Sequence, residues 1–202
     1  MPGTEAKRYG FALDRKFSRQ FFGGIEVTKR DLSVPLMFTD LTAIPVPVTS
    51  VRYADWQEDS ARGYVFLTPS DRLALSLEYQ YQLLDRRFSP ATGVEAIDEI
   101  KVHKVPLSLR FFLDSAWTFA VKGTYVKETY DSGFEGSVTE HDSDFWLADA
   151  IVSYRLPKRR GLAAIGATNL FDKQFAYQQV DSANTEFLPV RMLFGRVTLY
   201  FP

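Results

Sequence analysis

His103 and His141 are the only two histidines in the chain, and His141 stands in the run Glu140-His141-Asp142-Ser143-Asp144. The carboxylates of this run are the oxygen ligands that a hard cation takes. It lacks the glycine turn and ligand spacing of a calcium loop, so it reads as a solvated loop rather than a metal site. Ser143 beside His141 and Asp144 supplies the residue types of a hydrolytic triad. Triad members, however, converge from separate parts of a fold so that a base is oriented on a nucleophile, which neighbours in one segment do not do. No nucleophile elbow and no phosphate-binding glycine loop occurs anywhere in the chain. Cysteine is absent, which excludes disulfides and cysteine-ligated zinc. The chemistry-bearing residues point away from an enzyme, and no metal or cofactor is expected.

A second set of charged residues is more informative because of where it falls. Glu26, Glu78, Lys122, Asp149, Arg155 and Arg196 stand at positions opposite the apolar residues of alternating segments. Leu73, Leu75, Leu77, Tyr79 and Tyr81 alternate with Ala74, Ser76, Glu78 and Gln80. Trp117, Phe119, Val121, Gly123 and Tyr125 alternate with Thr118, Ala120, Lys122 and Thr124, and Val105, Leu107, Leu109, Phe111 and Leu113 share one parity against Ser108 and Arg110. A period of two is the signature of a two-faced strand. Less regular strands are expected over Arg8–Asp14, Gln20–Arg30, Ala61–Leu67, Phe145–Leu156, Gly161–Phe171 and Val190–Phe201. The expectation is therefore an all-β chain, an antiparallel up-and-down meander of about nine strands with no helix.

The connections alternate in size. Tight turns are expected at Asp14–Arg19, Thr68–Arg72, Asp114–Ala116 and Pro157–Arg160, and long segments at Asp31–Asp59, Arg86–Lys104, Asp131–Asp144 and Asp172–Pro189. Short turns on one side and long loops on the other are the pattern of a transmembrane β-barrel of the bacterial outer membrane. In such a barrel the six charged positions face the lumen, where mixed signs pair between neighbouring strands or simply meet water. The longest segment carries Ile44-Pro45-Val46-Pro47-Val48, whose prolines oppose both helix and central strand. Tyr53 and Trp56 beside it are candidates for the outer headgroup level.

Composition agrees with this. The chain has 202 residues, 46% of them hydrophobic and 15% aromatic, with 17 Phe and 10 Tyr. Yet its mean hydropathy is slightly negative, −0.16. No window approaches the roughly 18 apolar residues of a membrane-spanning helix, whereas barrel strands hide their apolar signal in every second position. Lys and Arg number 24 against 25 Asp and Glu, so net charge gives no case for nucleic acid.

The stretch from Gly161 onward resembles the C-terminus of TonB-dependent receptors. It carries the run Asn169-Leu170-Phe171-Asp172-Lys173, followed by Phe175 and Tyr177, then Pro189-Val190-Arg191, and a last strand with Gly195, Val197, Leu199, Tyr200 and Phe201. Asp149-Ala150-Ile151-Val152-Ser153-Tyr154-Arg155-Leu156 is more loosely similar to the preceding strand of that family. The resemblance implies the C-terminal portion of an outer-membrane receptor barrel for uptake of a solute. Its surroundings would be the lipid bilayer and the barrel-assembly machinery, which reads the terminal strand. An odd strand count and the lack of a signal peptide at Met1 lead us to expect a fragment of a larger barrel. Upstream strands and a plug would then lie elsewhere, and TonB would be reached only through those parts. A plug-less porin or export channel, and a soluble antiparallel binding or structural module, are the alternatives built from the same pattern.

Overall fold

A computed structural model describes residues 3–40, 46, 48–86, 96–113, 116–134, 137–175 and 190–200. These form one nine-stranded antiparallel sheet in which every strand pairs with its neighbours in sequence. The strands are β1 (Glu5–Lys16), β2 (Phe21–Asp40), β3 (Val48–Ser70), β4 (Leu73–Arg86), β5 (Ala96–Phe112), β6 (Trp117–Phe134), β7 (Ser137–Arg155), β8 (Gly161–Thr168) and β9 (Met192–Leu199). The all-β antiparallel meander expected from the alternating pattern is thus what the chain adopts. The sheet is open: β1 pairs with β2 alone and β9 with β8 alone among the described residues.

Register carries each apolar series from strand to strand. Leu13 lies opposite Ile25, which lies opposite Gly63, and Gly63 opposite Tyr79. Leu75 meets Leu109, Leu109 meets Val121, and Val121 meets Ala150. Ala150 faces Ala167, and Ala167 faces Leu193. Because side chains alternate across a strand, this chain of partners puts Leu75, Leu77, Tyr79, Phe119 and Val197 on one continuous face. That face is exposed, with Ile165 and Val197 each at 68%. The opposite face curves inward: Ala54, Ile100, Val102, Val126, Phe145 and Glu128, all buried, belong to it.

Two of the four long segments expected to be loops, Asp31–Asp59 and Asp131–Asp144, are largely strand, and Arg86–Lys104 is strand at its described residues. β2 and β3 stay in register as far as Asp40 opposite Val48, and β6 and β7 as far as Phe134 opposite Ser137. The reason is visible in the residues. Beyond the apolar stretch, polar side chains occupy both faces, as at Thr28, Lys29, Arg30 and Asp31 opposite Ser60, Asp59, Glu58 and Gln57. Backbone pairing continues where hydrophobic alternation stops, so the period-two signal disappears before the strand does. The Glu140–Asp144 run is therefore part of β7, not a loop. Of the proline-rich segment, Ile44, Pro45 and Pro47 lie outside the described residues.

Two strands are shorter than expected. β8 stops at Thr168, because Asn169 takes a left-handed conformation (φ 48°) that a strand does not accommodate. β9 runs only from Met192 to Leu199. Pro106 sits inside β5, where the chain has no N–H to give; the β4–β5 pairing steps from Leu77–Leu107 to Gln80–Lys104, skipping Pro106 and Val105. At the tight turn after β7, Pro157–Arg159 form one 3-10 turn with Lys158 at φ 56°.

Candidate functional site

The outer face divides into levels along the strands. Between Trp117 and Tyr125 it is apolar over roughly 26 Å of strand at about 3.3 Å per residue. One boundary carries Phe17 stacked on Phe21 at 4.7 Å and Trp117 against Tyr154 at 4.7 Å. The other carries Tyr81 against His103 at 5.0 Å and Tyr125 against Trp146 at 5.1 Å, with Tyr79 Oη 2.8 Å from His103 Nδ1. Past this second row the same face becomes charged. Lys127 bridges to Asp142 at 3.2 Å and Lys101 to Glu99. Those carboxylates hold both ammonium groups above the ordinary lysine range, through the hydrogen bond first and the charge attraction with it. Trp56, expected at this outer level, lies instead on the inner face beneath Arg86, whose guanidinium carbon is 4.8 Å from the ring centroid.

All six charged residues singled out by alternation, Glu26, Glu78, Lys122, Asp149, Arg155 and Arg196, share the inner face by register. They do not act as one group. Glu78 takes Arg62, at 3.0 Å to both its Nη2 and its Nε. A second inner-face pair that alternation alone did not single out, Arg30–Glu58, closes at 2.6 Å directly across β2 and β3, with Thr28 and Ser60 in contact at 2.6 Å beside it. Lys122 and Asp149 are cross-strand partners but form no ion pair among the described residues. The Asp149 carboxylate accepts from the Asn169 backbone N–H at 3.0 Å instead.

That bond belongs to a turn lock built from the Asn169–Lys173 run. Asn169 is buried, donates from Nδ2 to the Lys173 carbonyl at 2.9 Å, and accepts from the Lys173 N–H on Oδ1 at 2.9 Å. Leu170 N–H reaches the Ala148 carbonyl at 2.7 Å. Asp172, itself at φ 52°, accepts the Arg191 N–H at 2.9 Å and so holds the approach to β9. Asparagine and aspartate suit these places because a short polar side chain can bond its own backbone and tolerate positive φ. Phe171 stays outside at 78% exposure, while Phe175 turns inward onto Phe145, ring centroids 4.3 Å apart. On the final strand Gly195, Val197 and Leu199 face outward and Tyr200, exposed, follows just past its end; Pro189 and Phe201 lie outside the described residues.

Comparison of this chain with family models, with curated proteins and with solved structures finds no match.

Strand geometry also separates the residues of the Glu140–Asp144 run. His141 stacks on Tyr130 on the inner face, centroids 4.6 Å apart, and Ser143 shares that face. Asp142 and Asp144 point to the other side, with Asp142 engaged by Lys127 and Thr129. The triad types are thus split between two faces. No group of three or more metal-ligating side chains occurs among the described residues.

What the inner face does assemble is a concavity of about 410 Å³ lined by Phe66, Ser76, Ser108, Arg110, Lys122 and Phe194, among others. Arg110 was legible only as a residue of the polar parity of β5. Nothing in the linear pattern told it apart from a solvated arginine.

Proposed function

We propose that the nine strands are part of the wall of a bacterial outer-membrane β-barrel of the TonB-dependent receptor kind, through which a solute is taken up. The observation that carries this reading is the outer face: an exposed apolar band, ringed by aromatic side chains at both ends and charged beyond one of them, on a sheet whose other face carries most of the charged residues of the strands together with a small buried apolar cluster. Water penalises such a band, and a bilayer does not. Aromatic rows at its limits sit where amphipathic rings are favoured, at the headgroups. The Asn169–Lys173 turn and the alternating last strand add their likeness to that receptor family.

An open sheet in hydrocarbon leaves a row of backbone groups without partners at each edge, and each such group costs several kcal/mol. Further strands therefore close the wall beside β1 and β9. In a meander with an odd number of strands the first and last run the same way, so joining β1 directly to β9 would make a parallel seam. Keeping every pair antiparallel requires an odd number of additional strands. A plug, and any contact with TonB, would be supplied by those other parts, and the assembly machinery would meet the last strand.

Sedimentation of the chain in plain buffer and in phospholipid micelles tests the proposal. Its exposed band and open edges lead to large associated species in buffer that disperse in micelles. A monodisperse monomer in buffer with a cooperative thermal transition would overturn the membrane reading in favour of a soluble β module.

A further inference from the structure

Two cations, Arg110 and Lys122, share the inner-face concavity with a single carboxylate, that of Asp149, among the described residues. Arg110 lies opposite Ala74 on one side and Ala120 on the other. Lys122 lies between Ser108 and Asp149. Since Ser108 is next but one to Arg110 and opposite Lys122, the two cations are diagonal neighbours on one face, roughly 7–8 Å apart at their backbones. Both are exposed and neither makes an ion pair among the described residues. Asp149, the one acid among the described residues lining the concavity, accepts the Asn169 N–H but keeps its charge, so the lining carries two positive charges against one negative. The lining is thus net positive, which favours an added anion there.

The neighbours keep that space open. Ala74 and Ala120 flank Arg110 with side chains too short to cover it, while Ser76 and Ser108 add hydroxyl donors in the row of Lys122. Aromatic rings close the two ends. Phe66 is held by Phe22 and Tyr64, at 6.2 and 5.4 Å between centroids. Phe194 lies across Gly166, where a Cβ would come within 2.7 Å of its Cζ, so only glycine lets that ring lie against the floor. We infer that Arg110 and Lys122, with Ser76 and Ser108 and between the rings of Phe66 and Phe194, bind a small organic oxyanion: a carboxylate or phosphate carried on an aromatic body. This deepens the barrel reading by naming the class of solute that meets its inner wall, and it rests on that reading for its role in transport.

The test is calorimetric titration of the full chain, folded in an uncharged detergent, with phenyl phosphate, inorganic phosphate and phenol. Phenyl phosphate binds saturably, inorganic phosphate more weakly and phenol not at all. Lys122→Gln and Arg110→Gln each weaken phenyl phosphate about tenfold, the loss of one charge-assisted contact. Arg196→Gln, on the same face but outside the concavity, leaves affinity unchanged. Lys122 is exposed, so Lys122→Gln keeps the test available even where an Arg110 variant fails to fold. Equal binding by the parent and the Lys122→Gln chain, binding of phenol as tight as phenyl phosphate, or no saturable binding overturns the site. Dispersal by micelles is scored separately: a chain that disperses without binding defeats only the oxyanion site, and one that binds yet is a monomer in buffer defeats only the membrane reading.

Discussion

Asn169 shows how much one side chain can hold. Its amide makes two hydrogen bonds to the Lys173 backbone, and its own backbone sits at positive φ. Asn169→Ala removes both bonds and keeps the strained conformation, so it should lower stability by about 2 kcal/mol. Asn169→Gly loses the same bonds but relieves the strain, and should cost about 1 kcal/mol less. Denaturant unfolding of the two variants in detergent separates these contributions; equal losses would mean that the positive φ carries no strain, and an unchanged stability of the glycine variant that the turn is not held by the amide. At Lys127 the prediction concerns pH. Asp142 raises its pKa above the ordinary 10.5. A raised folded-state pKa means that the pair's stabilisation is present below the unfolded value and is lost as pH rises through the folded one. Following the Lys127 side chain by NMR should give a midpoint above 10.5, moved back toward it by Asp142→Asn. An unmoved midpoint would show that the bridge does not form. The sequence made these residues legible unequally. The Asn169 run stood out by likeness to a family, and its bonding then explained why those types occur there. Arg110 and Lys122 were visible as polar-face cations, but their sharing one concavity with a single carboxylate among the described residues depends on strand register, which no linear pattern encodes.

At the scale of strands, alternation marked the faces correctly and the lengths poorly. Every strand was detectable where one face is apolar and the other polar. Its continuation was hidden where both faces are polar, as along Thr28–Asp31 of β2. The pairing also implies unequal stability along one hairpin. Among the described residues β1 joins β2 only up to Ser33, and β4 joins β3 only up to Trp56, so beyond these points the β2–β3 hairpin has the described pairing of a two-stranded ribbon. Such a ribbon is marginal by itself in water. Amides of Val34, Leu36 and Met37 should exchange with deuterium well before those of Ile25 and Val27, by hydrogen-exchange mass spectrometry or NMR. Uniform protection along β2 would contradict the pairing. The two faces should also respond differently to charge. Val121 is midway along the outer band, and Val121→Arg should destabilise the lipid-bound fold by about 2–4 kcal/mol. Thr124→Arg, on the inner face of the same strand, should cost under about 1 kcal/mol. Similar losses at both positions would argue against a lipid-facing band.

For the whole molecule, the features that matter are one exposed apolar face, one face that mixes polar residues with a buried apolar cluster, and two open edges. Fold class and strand order were legible because both follow from alternation and turn chemistry. Curvature was not, since it arises from which inner-face side chains bury one another, as Ile100, Val102, Val126 and Phe145 do. The central claim is that the apolar face meets lipid, and the absence of cysteine makes it directly measurable, because any single introduced cysteine is then the sole label site. Single cysteines are placed in turn at Thr118, Phe119, Ala120, Val121 and Lys122 of β6, labelled with a fluorophore, and the chain is dispersed in phospholipid micelles containing nitroxide-bearing lipid. Quenching should alternate, strong at Phe119 and Val121 and weak at Thr118, Ala120 and Lys122. Quenching that is equally weak at all five positions, or strongest on the inner-face positions, would contradict the assignment.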